Sequence, residues 1–181
     1  MRPRTSSACP LRIDEVRFPG GGIIGITICP GKKDKRRGWD RDLLTDMDAI
    51  ASWVAAAMVT LMEDHEFDLL KVRQLPFAAI ERGISWFHVP IRDVSIPDFR
   101  FHERWIGIGI RLREMLQRGE KVLIHCRGGL GRSGLVAAML LIDSGVEAQE
   151  AVAMVRESRP GAIETVQQEA FVRGYHKSSR N

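Results

Sequence analysis

The 181-residue sequence has one tyrosine, Tyr175, and three cysteines, Cys9, Cys29 and Cys126. An odd number of widely spread cysteines argues against a disulfide framework and suits a reducing, cytoplasmic compartment. The longest nearly unbroken apolar run, residues 53–62, is about half of what a membrane helix needs. The arginine-bearing N-terminus is not followed by an apolar stretch of signal-peptide length, so no membrane is expected. Repeats and low-complexity segments are missing, and the histidines outside 125 (His65, His88, His102, His176) show no ligand spacing, so neither a metal nor a cofactor is expected. Excess charge is also scarce: 27 Lys and Arg face 23 Asp and Glu. That balance favours anionic partners without implying nucleic acid. The one dense basic run, KKDKRR at 32–37, is interrupted by Asp34 and has no aromatics for base stacking, and reads as an ordinary solvated loop.

What is present is a chain of one-domain size with ordinary globular composition. A β-branched stretch at 20–29 reads as the first strand, preceded by an N-terminal extension, 1–19, and opening a domain that runs over 20–181. Helical spacing over 39–53, with Asp40 as cap, is followed by a buried strand at 55–62 and a short helix at 76–82. Residues 84–90 alternate as a strand, and 98–117 is a long amphipathic crossover helix. KVLIH at 121–125 is the most apolar strand, and helices follow at 132–144, 148–158 and 166–175. Strands and helices taking turns imply an α/β single domain with a central, mostly parallel sheet flanked by helices.

The informative stretch is His125-Cys126-Arg127-Gly128-Gly129-Leu130-Gly131-Arg132-Ser133-Gly134. It leaves a buried strand and enters a helix, where successive backbone N–H groups and the helix dipole converge on one anion. Gly128, Gly129 and Gly131 let the backbone curl into a phosphate-sized cradle, to which Leu130 adds its N–H. Cys126 would lie beneath the anion as a thiolate. Arg132 would return to the mouth with a two-pronged grip on phosphoryl oxygens. Ser133 is placed to donate to the sulfur as it leaves. Arg127 adds a second guanidinium, turned either to acidic groups beside the phosphosite or to solvent. An ATP-type loop is excluded, because GxxxxGK[ST] needs a lysine that is missing here.

This stretch meets the pattern HCxxGxxR[ST] and resembles that of the cysteine-dependent dual-specificity protein phosphatases. The resemblance is strongest to the kinase-associated phosphatase (cyclin-dependent kinase inhibitor 3) branch, carried also by GITICPGKK near 25–33, HVPIRDVSIPD at 88–98 and RPGAIETVQQEAF at 159–171. It implies a protein-tyrosine-phosphatase-like fold and hydrolysis of phosphoserine, phosphothreonine and phosphotyrosine through a phosphocysteine. It also implies a phosphorylated protein, a kinase among the candidates, as partner, with a monomer as the default state. Within it, Asp93 matches the general acid, with Asp98 reading instead as a helix cap. Gln168 matches the residue that positions the hydrolytic water, beside Gln167, unless both are merely exposed on the first turn of the last helix. His125 is expected to orient the cysteine through a ring bond to backbone. With no upstream tyrosine to wall a deep slot, a shallow pocket is expected. A phosphoinositide or RNA phosphatase, a non-catalytic phosphoprotein-binding module and a sulfurtransferase are the competing readings.

Overall fold

The computed structural model describes residues 3–176; the outermost ends of the expected extension and domain, 1–2 and 177–181, lie outside the described residues. β1 (Asp14–Arg17) and β2 (Ile23–Thr27) form an antiparallel pair. A small hairpin follows, of β3 (Lys33–Asp34), one 3-10 turn (Lys35–Arg37) and β4 (Trp39–Asp40). The chain then runs through α1 (Leu43–Ser52), β5 (Ala55–Thr60), α2 (Asp64–Leu70), α3 (Leu75–Ile80), β6 (Ser85–His88), α4 (Phe99–Gln117) and β7 (Lys121–His125). It ends in α5 (Gly131–Asp143), α6 (Ala148–Ser158) and α7 (Val166–Gly174).

The five-stranded sheet has the order β1-β2-β7-β5-β6, parallel except for β1. Period-two alternation divides its side chains between two apolar layers. Val122 and Ile124 of β7 and Ala57 and Val59 of β5 pack with α4, α5, α6 and α7, while Leu123 and Met58 pack with α1, α2 and α3. Covering both faces is what a parallel sheet requires. The central strand β7 lies between β2 and β5, its end at His125 in register with Thr27 and Thr60. Ligands of such sheets bind beyond the carboxyl ends of the strands, where the order switches, and that is where the glycine-rich loop leaves β7.

Several expected elements are corrected. The stretch 20–29 supplies the second strand, because Asp14–Arg17, within the expected extension, already pairs along its edge. The helix expected over 39–53 begins at Leu43: residues 39–40 belong to the hairpin, and Asp42, not Asp40, caps it by accepting from the Thr45 N–H at 2.8 Å. The 32–37 run is exposed at Lys33, Lys35, Arg36 and Arg37, as a solvated segment would be, but it is not a loop. It builds the hairpin, and Lys32 is 5% exposed. Helix α2 was not expected at all, since its opening residues read as the polar end of a strand.

Candidate active site

The loop after β7 is held by the carbonyl groups that point away from its centre. The Arg127 carbonyl accepts from Lys32 Nζ (3.1 Å) and the Cys29 N–H (3.4 Å); the Gly128 and Gly129 carbonyls accept from Arg159, at 3.2 and 2.8 Å. Because a trans peptide sets its N–H opposite its C=O, pinning these carbonyls outward turns the N–H groups of Gly128, Gly129 and Leu130 inward. One of them is seen doing so: the Gly129 N–H donates to Cys126 Sγ at 3.2 Å. Gly129 has φ of 64°, and a Cβ there would lie 2.3 Å from the Thr27 carbonyl oxygen, so only glycine allows this close approach.

Cys126, Arg127, Gly128, Leu130, Gly131, Arg132, Asp93 and Gln168 all border one cavity of about 170 Å³. The sequence thus named residues that the fold brings together from three separate segments. Ser133 and His125 are fully buried behind it. Asp98 is elsewhere: it caps α4 through the Phe101 N–H at 2.9 Å and lines a different cavity. Gln167 is exposed, whereas Gln168 is buried, which removes the reading of both as surface residues.

Three details differ from expectation. Arg132 does not carry a free fork. Its two terminal nitrogens grip the Glu66 carboxylate at 2.6 and 2.9 Å, and Nη1 also donates to the Ile91 carbonyl at 3.1 Å. Nη2 further pairs with Asp93 Oδ1 at 2.8 Å, and Nη1 reaches the Leu61 carbonyl at 3.4 Å. Burial works against the guanidinium charge, but the Glu66 hydrogen bonds and the nearby Cys126, Glu66 and Asp93 charges outweigh it and raise its pKa. Glu66 is likewise held ionised: burial opposes its charge, yet the bonds from Arg132 bring it below the usual carboxylate range. Secondly, the His125 ring bonds to a partner that was not expected, Thr60 Oγ1 at 2.7 Å, because the strand register sets those two residues side by side. That hydroxyl accepts from Trp86 Nε1 (2.9 Å), so we assign its proton to His125 Nε2 and the ring hydrogen to Nδ1. Burial pushes the imidazole down to about 3, and the Arg132 charge acts in the same direction, so the ring is neutral. Thirdly, Ser133 Oγ is buried without a hydrogen-bond partner, to the sulfur or otherwise, among the described residues.

Gln168 Oε1 accepts from the N–H groups of Glu164 and Thr165, and its Nε2 donates to the Ser95 carbonyl at 3.0 Å. It therefore ties the Asp93 loop to α7. Within that loop Val94 has φ of 59°. A β-branched residue there is strained by about 1–3 kcal/mol, a conformation that rearrangement of the loop would relieve.

Residues 40–172 match the family model described as PTP-SAK, Swiss Army Knife protein, DSP-PTPase phosphatase domain. The chain belongs to this family. Cyclin-dependent kinase inhibitor 3 of Sus scrofa is 32% identical to it over 167 residues, 87% of this chain and 76% of that protein. A structure of kinase associated phosphatase, with its catalytic-site cysteine substituted by serine, is similar at a TM-score of 0.81 and 28% identity, covering 90% of this chain and 92% of that one. Tk-PTP in its active form is similar at a TM-score of 0.64 and 33% identity, covering 86% and 91%. The DSP-PTPase phosphatase domain of this chain thus has the mostly parallel sheet flanked by helices that its strand pattern implied. Sequence reasoning missed Glu66, Lys32, Thr60, Trp86 and Arg159 as parts of the site. For Glu66 a signal existed: Glu63 and Glu66 stand at capping-box spacing just ahead of Phe67 and Leu70.

Proposed function

We propose that this DSP-PTPase domain dephosphorylates phosphoproteins through a phosphocysteine on Cys126. The observation that carries this is the loop itself: a sulfur receiving one inward N–H, with three carbonyls pinned outward and a clamped arginine on the same cavity. A bound phosphoryl dianion takes over the inward N–H groups and competes with Asp93 for Arg132, which frees the Asp93 carboxyl for chemistry. The Cys126 thiolate attacks phosphorus, forming an S–P bond as the P–O bond to the substrate breaks, and Asp93 gives the departing oxygen its proton. Water then attacks phosphorus, passing a proton back to Asp93, and the S–P bond breaks to release phosphate and the thiolate. Ser133, a buried hydroxyl with no other partner among the described residues, donates to that leaving sulfur; Gln168, on the same cavity, orients the water.

Substrate breadth follows from the walls. Tyr175 bonds to Asp143 and does not line the cavity, whose sides are Val94, Leu130 and Glu164. A shallow site of this kind accepts phosphoserine and phosphothreonine as well as phosphotyrosine. The names of the relatives, a kinase inhibitor and a kinase associated phosphatase, support a phosphoprotein, including a kinase, as partner. Among the described residues no helix is long and apolar enough to cross a membrane.

Turnover of p-nitrophenyl phosphate and of phosphopeptides tests the reading. Cys126→Ser should abolish hydrolysis while phosphopeptide binding persists. Asp93→Ala should lower kcat by about 10²- to 10⁴-fold on phosphothreonine peptides, whose alkoxide needs a proton, and much less on the aryl ester. Hydrolysis by the serine variant, or equal effects of the aspartate variant on both substrates, would overturn the assigned roles.

A further inference from the structure

Beside the cradle lies a second cavity, of about 360 Å³, bordered by the hairpin and by residues 9–12. Six cationic side chains line it: Arg12, Lys32, Arg37, Arg41, Arg127 and Arg159. Three carboxylates answer them. Asp14 pairs with both Arg12 and Arg159, Asp46 with Arg41, and Asp34 with Arg127. Lys32 and Arg37 form no ion pair among the described residues, and of the two Lys32 is buried. A buried ammonium without a counter-ion is costly. Its support is partial: one hydrogen bond to the Arg127 carbonyl and the face of Trp39, 4.3 Å away, which Arg4 also covers at 3.8 Å. Burial pulls Lys32 down to about 8, and the nearby Cys29, Cys126 and Asp34 only partly offset it. Arg127 Nε is a further buried donor without a partner among the described residues. Arg37, Arg127 and Gly128 border both this cavity and the cradle, so the two share a wall.

We infer that this cavity is a second anion subsite, which takes a carboxylate or phosphoryl group carried by the same phosphoprotein segment whose phosphoryl group enters the cradle. The assignment rests on the phosphatase reading and adds to it a preference for phosphosites with an acidic or phosphorylated neighbour. The physical reason is that Lys32 and Arg37, without an ion pair among the described residues and the first of them desolvated, gain a close counter-ion only when the flanking residue is anionic. A flanking neutral residue leaves them as they are.

The experiment compares phosphothreonine peptides that differ only in the residues on either side: alanine, glutamate, or a non-hydrolysable phosphonate analogue of phosphoserine. The readout is the kcat/KM ratio of anionic-flanked to alanine-flanked peptide, in which any general change in activity cancels. At low salt the wild-type ratio should be about tenfold. Arg37→Ala, an exposed side chain without ion pairs, should bring it close to one, and Lys32→Met should do the same. The glutamate and phosphonate arms separate carboxylate from phosphoryl recognition. The same ratio of Kd values, measured with Cys126→Ser protein, reads the subsite without turnover. A retained Kd ratio together with a wild-type protein that hydrolyses none of the peptides would sink the phosphatase reading but uphold the subsite. A wild-type ratio near one, a ratio unchanged in both variants, or a gain from a second phosphate seen with inositol phosphates but not with peptides would overturn the proposal.

Discussion

At the residue scale the candidate site depends on a carboxylate that does not line the cavity. Glu66 is 2% exposed and bonds two nitrogens of Arg132, fixing the guanidinium at the cavity wall. Replacing it by glutamine keeps the volume but leaves a buried guanidinium with Asp93 as its one carboxylate partner. Removing one member of a buried ion pair costs roughly 3–5 kcal/mol, and misplacing a substrate-positioning group by about 1 Å costs on the order of 10²-fold in rate. Glu66→Gln should therefore lower the denaturation midpoint and reduce kcat/KM on p-nitrophenyl phosphate by about 10- to 100-fold. Wild-type values of both would remove Glu66 from its positioning role.

At the element scale the loop between β7 and α5 is shaped from outside its own sequence. Arg159, at the C-terminal cap of α6, reaches the Gly128 and Gly129 carbonyls and is itself held by Asp14 of β1 at 2.5 Å. The edge strand thus acts on the active site through one arginine. Arg159→Met should free two peptide planes to rotate and weaken the inward set of N–H groups. KM for aryl phosphate and Ki for inorganic phosphate should both rise about tenfold, roughly the worth of one charge-assisted hydrogen bond. Unaltered phosphate inhibition would show that the loop keeps its shape unaided. The longer elements were legible because their pattern is local. The start of α4 after Asp98 and the whole of α6 follow from capping and amphipathic spacing. Short elements were not: α2 has seven residues and β3 and β4 two each, too few for a period to show.

At the scale of the whole molecule, the central strand ends in a neutral imidazole enclosed by two neighbouring strands, with Thr60 and Trp86 beside it. An unfolded histidine has its pKa near 6.5, whereas the folded value lies near 3. The unfolded chain thus binds a proton that the folded one refuses. Stability from His125 is complete above about pH 6.5 and falls as the pH drops towards 3, by on the order of 1.4 kcal/mol per pH unit. Ordinary carboxylates are half-titrated only near about pH 4.3, so the difference in urea midpoints between wild type and a His125 variant, taken between pH 6.5 and 5, reads mainly that histidine. The wild type should lose stability across that range, and His125→Asn should be flatter; parallel slopes would contradict the assignment.

The chemistry proposed for the loop was legible in contiguous residues: Cys126, the glycines and Arg132 are close enough in the chain for their spacing to state the cradle. The alternation of apolar strands and amphipathic helices likewise determined a covered, mostly parallel sheet. What holds the cradle in its working form was decided only by tertiary structure. Glu66 meets Arg132 across 66 positions, Lys32 meets Arg127 across 95, and Arg159 meets Gly129 across 30. Such pairs leave no periodic trace, because their partners are brought together by the order of strands in the sheet rather than by distance along the chain. The same is true of the cationic cavity: its basic run looks like solvent-facing charge until the hairpin folds it against the loop.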